Sequence, residues 1–228
     1  MTAEQAPTRT DFEALYERNP DPFGVRTRWY ERRKLQVVLA GLTRERYATA
    51  WDPACGTGDL ALRLSWRCDR VLATDAAPRA VHLTEELCRA TTVQVAQLAL
   101  PGDPTTRPGF PAELDLVVLS EVLYYLDAAD RRAATQMVLT RLAADGEVAT
   151  VHWSHHPHDA HLSGEAVTEE LHRRLTAAGL RREVHHEDLD FVSSHWTRGR
   201  TPEPTPDPDP DATSHPVPDP IPHPEPTR

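Results

Sequence analysis

Nowhere in this chain do apolar residues run on for the roughly twenty positions that a membrane-crossing helix needs, so no membrane partner is expected. The first residues carry Glu4, Asp11 and Glu13 and lack the charged and apolar regions of a signal peptide. Cysteine is sparse and odd in number, with Cys55, Cys68 and Cys88 alone, which argues against a disulfide framework. Together these absences point to a cytoplasmic location. A basic stripe with interleaved aromatics, the footprint of a nucleic-acid binder, is also missing, and the formal net charge is −10. No internal repeat is visible. His155, His156, His158 and His161 are irregularly spaced in a loop-like stretch without cysteine, so no metal site is expected. His185 and His186 are adjacent, and in a strand they point to opposite faces.

What is present divides unevenly. The last 28 residues hold eleven of the 21 prolines, in runs such as Pro204-Thr205-Pro206-Asp207-Pro208. That density removes backbone donors and leaves nothing to bury, so residues 201–228 are expected to form a disordered tail. The tail accounts for −5 of the net charge, leaving −5 on residues 1–200. Residues 1–10 are expected to be flexible. About 190 residues remain between them, enough for one sizeable core.

Within that stretch the periodicities alternate. A short helix fits Asp11 to Arg18, and a longer one Thr27 to Leu42. Strands are expected at Ala48–Asp52, Arg70–Asp75, Thr92–Ala96, Leu114–Ser120 and Glu147–Trp153. Helices are expected at Asp59–Trp66, at Pro78–Arg89 and from Asp127 or Asp130 to Leu142, the last stopped by Asp145-Gly146. A helix over Glu165–Ala178 then leads to two short segments, Arg182–His186 and Phe191–His195, around a turn at Glu187-Asp188. The pattern predicts an α/β domain over residues 11–200, with a mostly parallel seven-stranded sheet, an antiparallel C-terminal hairpin and helices on both faces.

The most informative segment is Asp52-Pro53-Ala54-Cys55-Gly56-Thr57-Gly58, between the first strand and its helix, with Asp75 closing the second strand. A strand that turns through small residues into a helix brings N–H groups and a positive dipole end to a ligand. An acid at the end of the next strand, seventeen residues past Gly58, sits where a ribose diol would lie. Gly56-x-Gly58-x-x-Ala61 also satisfies the dinucleotide fingerprint, which leaves a nicotinamide reductase as an alternative. Three observations favour S-adenosylmethionine (SAM) instead. Asp52 would repel a pyrophosphate but suits an ammonium or sulfonium group. Nearly fifty residues precede the motif, and only about 145 follow it before the tail, which is tight for a second domain.

On these residues the chain resembles class I SAM-dependent methyltransferases, and in particular the nodulation protein S family of N-methyltransferases. The class resemblance rests on residues 52–58 and Asp75. The closer one rests on Asp21-Pro22-Phe23-Gly24, Trp29-Tyr30-Glu31-Arg32-Arg33-Lys34, Leu119-Ser120-Glu121-Val122-Leu123-Tyr124-Tyr125-Leu126 and His152-Trp153. It covers roughly residues 12 to 196 and implies a Rossmann-like methyltransferase domain whose segment 11–45 is a helical lid. It implies SAM as cofactor, bound by Tyr30, Arg33, Asp52, Ala54, Gly56, Gly58, Asp75, Ala76, Ala99, Leu100, Ser120 and Glu121. The acceptor it implies is a small molecule, an amino sugar or oligosaccharide.

Two positions depart from the family pattern. Ala54 replaces a common glycine, at a cost of roughly 1–2 kcal/mol if the position needs positive φ. Ala99 replaces an acid that contacts the adenine amino group, a loss of about 1–3 kcal/mol. Ala99 and the proline-rich tail support the alternative of a degenerate methyltransferase-fold protein that acts as an interaction module.

Glu121, just past the most apolar strand, is the first catalytic candidate, to bind or deprotonate an amine acceptor. The alternative is a helix-start acid complementing the dipole. His152 at the end of the fifth strand is the second, against a satisfied structural histidine. Tyr124 is the third, as a pocket wall. Arg32 and Lys34 are expected on an exposed basic helix face.

Overall fold

The computed structural model describes residues 11–199; the expectations for residues 1–10 and 201–228 fall outside them. Its elements are α1 (Phe12–Arg18), α2 (Trp29–Gly41), β1 (Tyr47–Pro53), α3 (Asp59–Leu64), β2 (Cys68–Asp75), α4 (Pro78–Cys88), β3 (Val93–Gln97), β4 (Leu114–Ser120), α5 (Ala128–Arg141), β5 (Leu142–Trp153), α6 (Gly164–Ala177), β6 (Leu180–Glu187) and β7 (Phe191–Arg198). A 3-10 turn at Leu123–Tyr125 follows β4.

The strands form one sheet in the order β3-β2-β1-β4-β5-β7-β6. The first five are parallel, and β7 runs antiparallel to both β5 and β6. The chain crosses from β1 to β2 on one side and later places β4 on the other. Between the carboxyl ends of β1 and β4 lies the switch point, the crevice where open α/β sheets take ligands.

Burial follows the sequence pattern. Leu116, Val117 and Val118 of β4 are fully buried because both faces of this central strand are covered. One face packs Trp51, Leu119 and Trp196 against Val138 of α5 and Leu171 and Leu175 of α6. The other packs Ala50, Val71 and Val151 against Val38 of α2, Leu64 of α3 and Cys88 of α4. The helix ends obey local chemistry. Asp127 accepts from Ala129 N–H and Asp130 N–H, Ser163 accepts from Ala166 N–H, and Pro78 opens α4. Gly179 closes α6 at φ +87°, where a side chain is strained.

Most boundaries fall within two residues of the sequence reading, and two strands depart further. Helix α5 ends at Arg141, within one residue of the expected Leu142, but β5 begins at once at Leu142 rather than at Glu147, so Asp145-Gly146 does not act as a helix stop. Leu142 and Ala143 are buried, and the β4–β5 register jumps from Leu114↔Leu142 to Leu116↔Glu147, so the Asp-Gly pair sits in a bulge within the strand. The last strand also runs three residues further than the pattern suggested, because Trp196 and Thr197 are buried against α6 and β6.

Helix α2 is fastened along its length. Arg33 pairs with Asp188 at 2.5 Å and lies over the Phe191 ring, tying α2 to the β6–β7 hairpin. Gly41 is packed so closely on the His195 ring that a Cβ there would overlap it. Just beyond, Thr43 donates through Oγ1 to Glu147 at 2.5 Å, and Glu147 also accepts from Tyr47 OH at 2.6 Å. Glu147 and His195 are themselves fully buried, 3.0 Å apart.

Candidate functional site

A cavity of about 1350 Å³ opens over the switch point, lined from β1, β2, β4 and the loops after β3 and β5, and roofed by α1 and α2. Small-molecule pockets usually enclose roughly 300–1,000 Å³, so there is room here for two reactants. Its walls carry nine Asp and Glu side chains against three Lys and Arg, a surface that favours cationic ligands.

The loop after β1 is built from left-handed backbone. Ala54, Gly56 and Gly58 have φ of +57°, +56° and +82°. Ala54 therefore does occupy the strained region, at a cost of roughly 1–2 kcal/mol that the surrounding bonds must offset. Those bonds include Cys55 N–H to the Thr74 carbonyl at 2.9 Å and Thr84 Oγ1 to the Gly56 carbonyl at 2.9 Å. A Cβ on Gly56 would collide with Tyr16 OH, and one on Gly58 would collide with Thr84. Gly58 thus serves helix packing, and it does not line the cavity.

The carboxylates at this end are fixed differently. Asp75 accepts from Gly56 N–H through Oδ2 and from Ala77 N–H through Oδ1, each at 2.9 Å. Each oxygen keeps a second lone pair, and Asp75 lines the cavity, so the carboxylate can accept from two adjacent hydroxyls. Burial raises its pKa, against the pull of those backbone donors. Asp52 is buried more deeply; burial, then the charge of Asp75, pushes it well above the carboxylate range. Its Oδ2 is buried without a partner. A cation in the cavity would satisfy that oxygen.

At the start of the loop after β4 stands Glu121, a second non-glycine residue at positive φ (+53°). Its Oε1 accepts from Lys34 Nζ at 2.6 Å and from Tyr30 OH at 3.4 Å. Its Oε2 accepts from Trp153 N–H at 2.9 Å and from Tyr124 OH in a very short bond. Burial pushes Glu121 up, but Lys34, Tyr124 and the Trp153 amide outweigh it and hold the carboxyl below its usual range. Four donors occupy this carboxylate, which makes it an anchor for the cavity wall and a weak base. Lys34 also pairs with Glu31 at 2.8 Å. Far from an exposed basic face, Lys34 is buried between two acids, which together outweigh burial and raise its pKa.

The other residues singled out by sequence divide cleanly. Tyr30, Ala76, Ala99, Leu100, Ser120 and Tyr124 line the cavity. Arg33 does not, because its guanidinium is spent on Asp188 and Phe191. His152 does not either. Its ring is wholly buried behind Tyr124, within reach of Thr168 Oγ1 at 3.3 Å, and burial drives its pKa down to about 4. It is a neutral packing group.

Several lining residues had no sequence signal. Phe12 and Tyr16 of α1 reach over the cavity, with Phe12 edge-on to Tyr125 at 5.1 Å. Arg28 lines it just before α2, the placement that had been expected of Arg33. The segment after β5 brings His156, His158, Asp159 and His161 to the same cavity, where sequence spacing had been weighed only for a metal. Among the described residues no group of three or more His, Cys, Asp or Glu is placed to hold a metal ion. No described helix is long and apolar enough to cross a membrane.

Comparison with known proteins is consistent with this geometry. A family model described as a methyltransferase domain matches residues 51–148. A crystal structure of a candidate methyltransferase from Pseudomonas syringae is 36% identical, covering 75% of this chain and 100% of that one, with a TM-score of 0.63. The N-methyltransferase NodS from Bradyrhizobium japonicum WM9, solved with S-adenosyl-L-homocysteine, shares the fold at a TM-score of 0.66 with 20% identity, covering 84% of this chain and 100% of that one. Nodulation protein S of Rhizobium tropici is 28% identical over 130 residues, 56% of this chain and 53% of that protein. The chain thus spans about half the length of the curated relatives it matches.

Proposed function

The chain belongs to the methyltransferase family, and we propose that it moves a methyl group from SAM to the amine of a small acceptor, an amino sugar or oligosaccharide. The observation that carries the cofactor assignment is Asp75. This carboxylate is oriented by two backbone N–H groups, has two lone pairs left over and lines the cavity beside a left-handed loop. The unpartnered Oδ2 of Asp52 suits the positive end of the same ligand, and a dinucleotide would instead set its pyrophosphate against that acid. The acceptor assignment rests on the excess of carboxylates around the cavity and on the likeness to nodulation protein S.

SAM supplies an electrophilic methyl carbon bonded to a positive sulfur. The protein's task is to hold the acceptor nitrogen in line with that bond, an effect worth up to roughly 7–11 kcal/mol. Glu121, held ionised by its four donors, fixes Tyr124 and Lys34 as parts of a rigid wall. The cluster Glu31–Lys34–Glu121 carries a net negative charge, which favours positive charge growing on an acceptor nitrogen.

Calorimetry with SAM tests the cofactor, with Asp75→Ala and Gly56→Val as controls. No heat from the wild-type chain at millimolar SAM removes the premise. Labelled SAM offered with glucosamine oligomers tests the acceptor, and transfer confined to hydroxyl or carbon atoms discards the amine assignment.

A further inference from the structure

We propose that His156 is the base that takes a proton from the acceptor's ammonium group before methyl transfer; this rests on the amine reading above. A protonated amine has no lone pair to offer, so some group must remove the proton. Three of the acid–base side chains considered above are not available for it. Glu121 already accepts from four donors, Tyr124 donates its hydroxyl to Glu121, and His152 lies outside the cavity.

His156 lines the cavity, and one of its ring nitrogens is held by the backbone. Its Nε2 lies 2.9 Å from the carbonyl oxygen of Ala160. A carbonyl only accepts, so Nε2 carries the hydrogen and Nδ1 holds the lone pair. Ala160 is itself buried, and its N–H is bonded to the Pro157 carbonyl at 3.1 Å, so the orienting oxygen is fixed. The same loop is tied to the turn that carries Tyr124, because His161 N–H donates to the Tyr124 carbonyl at 2.8 Å. His158, by contrast, has a side chain 97% exposed. Asp127, Asp130 and Asp159 share the cavity and favour both an arriving ammonium and the imidazolium that forms.

In the step itself an ammonium N–H bond breaks and an Nδ1–H bond forms, the electron pair staying on the acceptor nitrogen. That pair then makes the N–C bond while the C–S pair departs with sulfur. His156 is open to solvent on the side away from its part-buried bond to Ala160, so its extra proton has a way out.

The test uses the full chain with SAM and a glucosamine tetramer at pH 7. His156→Gln can still donate to Ala160, yet it is expected to lower kcat/KM about 100-fold with SAM affinity unchanged. Free imidazole is expected to restore the rate of His156→Ala in proportion to its concentration. A glutamine variant as fast as wild type, or an alanine variant that imidazole leaves slow, overturns the assignment. Both variants are first shown to bind SAM as wild type does. A wild-type chain that methylates no amine at any pH sinks the amine reading itself. N-methylation by wild type and His156→Gln alike sinks only the role of His156.

Discussion

Replacing Lys34 with methionine is the sharpest perturbation of the cavity wall. The ammonium lies 2.6 Å from Glu121 Oε1 and 2.8 Å from Glu31 Oε2, with its side chain only 8% exposed. Methionine matches its length and apolar stem, so packing is nearly conserved and the lost term is electrostatic. Removing one partner of a buried pair typically costs 3–5 kcal/mol, because the other charge stays buried. Glu121 keeps a quarter of its side chain in solvent, which argues for the lower end, about 3 kcal/mol. For a domain of this size that corresponds to a fall of roughly 6–12 °C in melting temperature. The pH dependence gives a second reading. In the wild type Glu121 has a lowered pKa, so its stabilisation is present above the unfolded carboxylate value, near 4.3, and is lost as pH falls through the folded one. Without Lys34 the burial term wins and the pKa of Glu121 rises. The variant's stability is then lost as pH rises through that raised value, reversing the slope. Thermal and urea melts from pH 4 to pH 8 check both points, and adding Glu121→Gln is expected to recover part of the loss. A Lys34→Met chain with the wild-type melting temperature and the wild-type slope would refute the buried-triad argument.

Asp75→Ala is expected to weaken SAM by roughly 10²–10⁴-fold, two charge-assisted hydroxyl bonds at about 1.5–3 kcal/mol each, as read by calorimetry. Asp52 has a raised pKa in the free chain, and a cation beside Oδ2 would lower it, so SAM uptake releases a proton and weakens as pH falls. Binding heats that scale with buffer ionisation heat across phosphate and Tris would register this release; equal heats would exclude it. Ala99→Asp is expected to tighten SAM about tenfold, because the cavity there is lined by Leu98, Ala99 and Leu100, with no acceptor side chain among them. Ala54→Gly relieves a φ of +57° and is expected to raise stability by about 1 kcal/mol in a urea melt.

The parts of this molecule that could be read from sequence are those specified by neighbours along the chain. Strand β4 announces itself as Leu-Asp-Leu-Val-Val-Leu, the loop 54–58 by its small residues, and Asp75 by its place at a strand end. Each of these is a local pattern with a local cause. The polar side chains that complete the site have no such signature, because tertiary partners decide their fate. Lys34 and Arg33 stand next to each other on α2 and look alike in sequence. One is buried between Glu31 and Glu121, the other spans to Asp188 on the far hairpin, and only the roll of α2 on the sheet distinguishes them. His152 and His156 present the same problem at the end of β5. The strand alternation turns His152 inward under α6, while four residues later the chain has left the sheet and His156 faces the cavity. Position at a strand's carboxyl end was thus the wrong criterion for the histidines. What decides for His152 is the face that strand alternation assigns it, which can be counted only once the pairing of β5 with β4 and β7 is fixed, whereas His156 lies beyond the strand, where no alternation applies.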